Sequence, residues 1–153
     1  MSNSLAKIFA TFFYIGFMPF APGTTASMAG MLVYFLLYRH MALYILAFVV
    51  LTLVGFLTAG RVEKNLNRKD PPCVVIDEVA GVMIALFMLP MTPSVIITAF
   101  FLFRAFDMFK IYPANKLQAL TGSLGIMMDD VVAGVYTNAM MLLALKMKSL
   151  MIL

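Results

Sequence analysis

Five of the chain's seven acidic residues lie in apolar stretches of the sequence, where charge is costly. These residues are Asp77, Glu78, Asp107, Asp129 and Asp130. An ionised side chain at the centre of a membrane helix costs about 2.5–3.5 kcal/mol on insertion scales, so five of them require a compensating partner. Mg²⁺ is the simplest shared partner, because it prefers carboxylate oxygens and commonly completes its coordination shell with a substrate phosphate.

Two basic residues flank one of these acids. Arg104 and Lys110 lie three positions before and three positions after Asp107, so the three side chains are predicted to lie near one face of a helix. A guanidinium suits bidentate contact with phosphate oxygens, although Arg104 could equally extend to lipid headgroups. Carboxylates beside a fixed guanidinium therefore indicate a phosphate site. The glycine-rich segment 121–125 could add backbone amides as anion donors.

The composition favours a membrane protein over a soluble domain. Of 153 residues, 63% are hydrophobic and only 12% are charged, whereas soluble domains carry about 25% charged residues. The formal net charge of +4 is spread over segments that flank apolar runs, which is typical of membrane topology and not of a nucleic-acid partner. A single cysteine, Cys73, and a single histidine, His40, exclude an internal disulfide framework and a Cys/His zinc cluster.

The apolar segments predict a single all-α domain over residues 1–153. The plainest candidate span, 41–59, has 19 residues without a charge and is long enough to cross about 29 Å of hydrocarbon. We predict a polytopic protein with about four to five transmembrane helices, plus a broken or interfacial N-terminal segment that is retained and not a cleaved signal peptide. Residues 19–25 contain two prolines and are predicted to interrupt the helix. The other helical candidates are 5–18, 26–37, 73–89, 94–109 and 126–145.

The hydrophilic segment 61–70 sets the predicted topology. Its four basic residues make it the best candidate for a cytoplasmic loop, with Glu63 and Asp70 as solvated acids. Threading the chain from this loop places all five apolar-segment acids and the 19–25 interruption at one depth, near the cytoplasmic face. The C-terminal Lys146 and Lys148 then fall outside, which is a mild conflict with the same rule.

Structural roles and other functions compete with this interpretation. A lone intramembrane acid is often a hydrogen-bonded packing residue, and Gly81 and Gly134, four positions after Asp77 and Asp130, are predicted to let helices approach closely. A transporter or ion pathway could also use intramembrane carboxylates, but it predicts acids staggered across the bilayer. A phosphatase of another phospholipid, such as phosphatidic acid, is a further alternative.

Four motifs together resemble the phosphatidylglycerophosphatase A family over about residues 15–145. They are segments 22–27, 76–81, 103–110 with the following Pro113, and 125–134. The resemblance implies an all-α, Mg²⁺-dependent lipid phosphatase of the bacterial inner membrane that converts phosphatidylglycerophosphate to phosphatidylglycerol, with its active site facing the cytoplasm. The chain departs from the family pattern at Ile111 and at Gly122-Ser123, which affects only the expected shape of the loop 111–124.

The implied functional residues give a mechanistic hypothesis. They fall on Thr24, Asp77, Glu78, Arg104, Asp107, Lys110, Asp129 and Asp130. Metal ligation of one or two Mg²⁺ ions is assigned to Asp77, Glu78, Asp129 and Asp130. Thr24, Arg104 and Lys110 are assigned to the substrate phosphate. Asp107 is a metal ligand, a general acid or base, or a nucleophile in this hypothesis, and the sequence leaves all three roles open.

Overall fold

The fold, seen in a computed structural model that describes residues 3–152, is entirely helical over that range. The seven α-helices are α1 (Asn3–Ala10), α2 (Pro22–Leu37), α3 (Met41–Leu66), α4 (Ile76–Leu86), α5 (Pro93–Phe109), α6 (Ala114–Gln118) and α7 (Ser123–Ile152). A short 3₁₀ turn, Ile15–Phe17, lies between α1 and α2. The predicted all-α class is therefore confirmed.

Helix α4 forms the centre of the molecule. Nine of its eleven residues are buried, and it packs against α7, α2, α3 and α5. A helix that is apolar on all sides must be covered all round, here by other helices. The sequence predicted a longer segment, 73–89, but α4 at 1.5 Å per residue is too short to cross the hydrocarbon by itself.

Two of the described helices are long and apolar enough to cross a membrane. They are α3, in which an 18-residue apolar window has a mean hydropathy of 2.5, and α7 up to Met151, in which the corresponding window has a mean hydropathy of 1.3. Only 17% of the apolar window of α3 is buried inside the protein, so most of its surface is available to lipid. These helices support membrane association, whereas the larger number of four to five spans stays a prediction. Helix α3 also continues to Leu66, so part of the expected hydrophilic loop is helical.

The N-terminal segment is broken, as predicted, but not where expected. Helix α1 ends at Ala10, and three consecutive residues with positive φ, Phe12 to Tyr14, prevent the helix from continuing to residue 18. The predicted interruption at 19–25 is wrong in its second half. Pro22 is the first residue of α2, a position where its missing N–H costs nothing, so Gly23 and Thr24 lie in the first helical turn.

Two glycines allow α4 and α7 to approach closely. A Cβ atom on Gly81 would lie 2.8 Å from the Phe103 ring and 2.9 Å from the Asp130 carbonyl oxygen. A Cβ atom on Gly134 would meet the Gly81 carbonyl oxygen and would lie 3.0 Å from the Ile84 Cβ. The prediction that Gly81 and Gly134 serve close packing is confirmed, and this packing holds the acids of α7 beside the start of α4.

Candidate active site

All eight residues singled out from the sequence line one cavity of about 480 Å³. They come from the first turn of α2, the first turn of α4, the end of α5 and the early part of α7. The set is Thr24, Asp77, Glu78, Arg104, Asp107, Lys110, Asp129 and Asp130. The structure therefore brings together side chains from four separate helices, at the end of the bundle where α3 finishes and α4 begins.

Three of the carboxylates form a group that could hold a metal ion. One oxygen from each of Asp77, Glu78 and Asp130 lies within 4.8 Å of the others, and Asp77 and Asp130 are buried. Among the described residues, Asp77 Oδ1 and Glu78 Oε2 are buried and have no hydrogen-bond partner. Buried carboxylate oxygens without donors are costly, and three converging negative charges repel each other. A bound cation would satisfy both demands, so the residues fit a metal site.

The basic residues form ion pairs with the remaining acids. Arg104 Nη1 lies 2.6 Å from Asp107 Oδ2, and Lys110 Nζ lies 3.7 Å from Asp107 Oδ1. The predicted arrangement of these three side chains on one helical face is confirmed. Lys110 also forms a salt bridge with Asp129 of α7, so Asp129 lies beside the three-carboxylate group and not within it. Its assignment as a metal ligand stays a prediction.

The charge state of Lys110 follows from these contacts. Burial by itself lowers the pKa of Lys110, but the hydrogen bond and negative charge of Asp129 raise it, as do Asp130 and Asp107. The net effect is a pKa above the usual lysine value, so Lys110 is a permanent cation at neutral pH. It carries φ 45° as the residue that caps α5, and this turn directs the chain away from the helix at the cavity wall.

The absence of a side chain at Gly23 makes room for two charged groups. A Cβ atom there would collide with Glu78 Oε1 and would lie 3.3 Å from Arg104 Nη2. Gly23 is buried in the first turn of α2 and lines the cavity. The backbone of this turn therefore contacts both the carboxylate group and the guanidinium, and a larger residue would displace one of them.

Thr24 and Thr25 are neighbours with different surroundings. The Thr25 hydroxyl donates a hydrogen bond of 3.2 Å to the Ala21 carbonyl oxygen, and Thr25 does not line the cavity. Thr24 does line it, and its hydroxyl has no hydrogen bond to any residue in the described range. The first N–H groups of a helix also lack partners within the helix, so this turn offers donors to an anion.

Sequence reasoning misplaced Asp70 and the segment 121–125. Asp70 was assigned to a solvated loop, but it lines the same cavity and accepts a 3.0 Å hydrogen bond from Gln118 Nε2 of α6. Only the Pro71-Pro72 pair, which restricts the path from Asp70 towards α4, was a local signal. Segment 121–125 was a candidate anion binder, but Thr121 and Gly122 line a separate cavity beside α3.

A comparison with known families identifies the family of this chain. A model of the phosphatidylglycerophosphatase A family matches residues 8–145, which is nearly the whole chain. The chain belongs to this family. The match includes every residue of the cavity described above, and it confirms the resemblance inferred from the four motifs. As a member of the phosphatidylglycerophosphatase A family, the protein is a phosphatase.

Three relatives support membership of the phosphatidylglycerophosphatase A family. The chain is 33% identical to the Escherichia coli phosphatidylglycerophosphatase A over 88% of its own length and 80% of that protein. It is 35% identical to the Haemophilus influenzae phosphatidylglycerophosphatase A, over 76% of its own length and 74% of that protein. It is also 38% identical to a Bacteroides thetaiotaomicron protein named "Putative phosphatidylinositol-3-phosphatase", over 87% of its own length and 89% of that protein. No solved structure gives a significant match.

Proposed function

We propose that the protein hydrolyses the terminal phosphate monoester of phosphatidylglycerophosphate, yielding phosphatidylglycerol and inorganic phosphate. One observation carries the proposal. A single cavity combines three convergent carboxylates, two cations and an unpartnered hydroxyl, and the family match covers all of these residues. Phosphoryl transfer depends mainly on positioning and on charge stabilisation, which is what such a set of side chains supplies.

We propose Mg²⁺ as the metal of this site. Asp77, Glu78 and Asp130 would hold the ion, with Asp129 adjacent, because hard carboxylate oxygens suit it. When bound, Mg²⁺ would neutralise charge on the phosphate oxygens and lower the pKa of an attacking water. This cofactor explains why the buried, unpartnered oxygens of Asp77 and Glu78 are tolerated in this cavity.

The cations of α5 are assigned to the non-bridging phosphate oxygens. Arg104 uses Nη1 to bind Asp107, and its guanidinium has further N–H donors for the substrate. Lys110 stays charged and adds positive potential at the same wall of the cavity. The ion pairs of Asp107 with both cations favour a role in orienting them, which differs from the three roles predicted from the sequence, and they disfavour metal ligation. Asp107 thereby holds the cations ready for the charge that develops in the transition state.

The proposed location is the cytoplasmic leaflet of a bacterial inner membrane. Asp130 is seven residues after the start of α7, which corresponds to about 10 Å along the helix axis. This depth suits the headgroup region, where a phospholipid presents its phosphate. The same end of the bundle carries the basic segment from Arg61 to Lys69, and the positive-inside rule assigns such a segment to the cytoplasm. The remaining apolar helices would bring the spans to four or five.

A phosphorylated inositol headgroup is the second candidate substrate. It is favoured by the 38% identity to the relative from Bacteroides thetaiotaomicron. Glycerol phosphate and inositol phosphate headgroups share a phosphate monoester on a polyol, so the same charged groups could act on either. An ion pathway is less consistent with the structure, because the acids cluster in one cavity at one end of the bundle and are not staggered across it.

Phosphate release by the purified protein in detergent tests the proposal. We expect release from phosphatidylglycerophosphate, loss of release in EDTA, and recovery when Mg²⁺ is restored. Phosphatidylinositol phosphate and phosphatidic acid, assayed in parallel, separate the alternatives. Faster turnover of either lipid would identify that lipid, and not phosphatidylglycerophosphate, as the preferred substrate. Turnover unaffected by EDTA would exclude the metal assignment.

The two adjacent threonines of α2 give a matched test of phosphate binding. Thr24→Ala should lower kcat/KM by about 10- to 100-fold, because a hydroxyl hydrogen bond to a charged phosphate is lost. Thr25→Ala should change it by about twofold or less, since that hydroxyl binds the Ala21 carbonyl oxygen outside the cavity. Steady-state phosphate release measures both variants. Equal losses in the two would indicate a general effect on α2 and would exclude a phosphate contact at Thr24.

A further inference from the structure

Asp70 is an acid of the cavity that the proposed chemistry leaves without a role. It lies on the loop between α3 and α4, is half-buried, and lines the same cavity as the three-carboxylate group. Its backbone has φ 47°, in the left-handed region that few residue types other than glycine, asparagine and aspartate adopt readily. A half-buried aspartate at such a backbone position is held in place by its surroundings.

Helix α6 fixes the position of this carboxylate. Gln118 Nε2 donates a 3.0 Å hydrogen bond to Asp70 Oδ2. The preceding residue, Lys69, donates from Nζ to the Ala119 carbonyl oxygen at 3.0 Å. Two adjacent side chains therefore tie the loop to the end of α6, and this arrangement sets the direction from which Asp70 reaches the cavity.

The second oxygen of Asp70 is available to a ligand. Within residues 3–152, Asp70 Oδ1 accepts no hydrogen bond, and the cations of the cavity pair with Asp107 and Asp129 instead. A carboxylate that is not part of the metal group repels a phosphate dianion, so it does not bind the reacting group. Because a carboxylate oxygen only accepts hydrogen bonds, its partner on a ligand would be a donor, and the donors on a glycerol or inositol headgroup are hydroxyl groups.

We propose that Asp70 accepts a hydrogen bond from a headgroup hydroxyl and selects polyol phosphate monoesters over those without a hydroxyl. The inference rests on the proposed function, which it deepens by assigning a specificity-determining residue. A site built to bind a substrate hydroxyl discriminates strongly against an analogue lacking it, because the acceptor is then left unpaired. Repulsion between Asp70 and the phosphate also leaves Arg104 and Lys110, and not Asp70, as the partners of the monoester.

A matched pair of lipid substrates tests this role. One is phosphatidylglycerophosphate, and the other is its analogue with propanediol in place of the headgroup glycerol. We expect the wild-type protein to prefer the glycerol lipid in kcat/KM by about 10- to 100-fold. Asp70→Gly should reduce this preference to about onefold to threefold, mainly because kcat/KM falls for the glycerol lipid. The loop should keep its conformation, since glycine adopts the positive φ without strain. Glu63 is an acid outside this cavity, so Glu63→Gln should keep the wild-type preference.

The pattern of losses separates recognition from a structural role. Equal losses of Asp70→Gly on both lipids, or an unchanged preference, would overturn the inference. Asp70→Asn keeps the backbone conformation and side-chain shape, so it provides the same comparison if the glycine variant does not fold. Its preference should also fall, because an amide group replaces one acceptor oxygen.

A binding measurement separates this inference from the proposed function. If the wild-type protein releases no phosphate from either lipid, the proposed function fails, and binding of soluble headgroup analogues decides the role of Asp70. Glycerol 3-phosphate should raise the unfolding temperature at about tenfold lower concentration than propyl phosphate in the wild type. The two compounds should become equivalent in Asp70→Gly. Equivalence already in the wild type would overturn the inference.

Discussion

Asp77→Asn should lower the rate of phosphate release by about 10³-fold or more, at any Mg²⁺ concentration. Asp77 is buried on the first turn of α4, and one of its oxygens lies within 4.8 Å of oxygens of Glu78 and Asp130. Asparagine keeps the size of the side chain but removes one of the three negative charges. The expected loss therefore reports on charge and metal ligation, and not on packing.

Thermal unfolding gives a second readout for the same variant. In the wild-type protein, Mg²⁺ at about 100 times its Kd should stabilise the fold by about 2.7 kcal/mol. In Asp77→Asn this stabilisation should largely disappear, whereas the metal-free variant should be at least as stable as the metal-free wild type. Removing one of three clustered like charges relieves repulsion, so the two effects have opposite signs.

Glu63→Gln is the matched control for Asp77→Asn. Glu63 is an acid on α3 that lines a different cavity, so its substitution should leave activity within about twofold of wild type and keep the stabilisation by Mg²⁺. Near-normal turnover of Asp77→Asn at saturating Mg²⁺ would place the reaction elsewhere. Equal effects of the two substitutions would show that the response to metal is not specific to the carboxylate group.

Local spacing in the sequence was sufficient to predict much of the site. The three-residue separations around Asp107 placed Arg104 and Lys110 on its helical face, and both contacts are present. Carboxylates in apolar surroundings were also informative, because the cost of burying charge demands a compensating partner. Asp77 and Asp130 are buried in the same cavity, as that argument requires.

Features that depend on distant parts of the chain could not be predicted. Asp70 was predicted to be a solvated loop acid because its partner, Gln118, is 48 positions away on a five-residue helix. The proline before Gly23 was ambiguous, since a proline can interrupt a helix or begin one. Hydropathy did not distinguish α4 from a membrane span, because burial by other helices and burial by lipid select the same apolar residues.

Gly134→Ala should impair both the stability and the activity of the protein, although Gly134 does not line the active-site cavity. Its Cβ atom would meet the Gly81 carbonyl oxygen, which is backbone and cannot rotate away, and would lie 3.0 Å from the Ile84 Cβ. Helices α4 and α7 must then separate. A shift of about 1 Å can cost about 10²-fold in rate when it misplaces groups at the reacting centre.

The predicted cause is separation of Asp130 on α7 from Asp77 and Glu78 on α4. The variant should therefore require more Mg²⁺ for half-maximal activity and unfold at a lower temperature, whereas a purely local defect would change stability alone. Val135→Ala is the control, because Val135 is the next residue on α7 and its side chain is 49% exposed. Its activity and Mg²⁺ requirement should match those of wild type. Wild-type Mg²⁺ dependence in Gly134→Ala would show that the close α4–α7 contact does not set the carboxylate geometry.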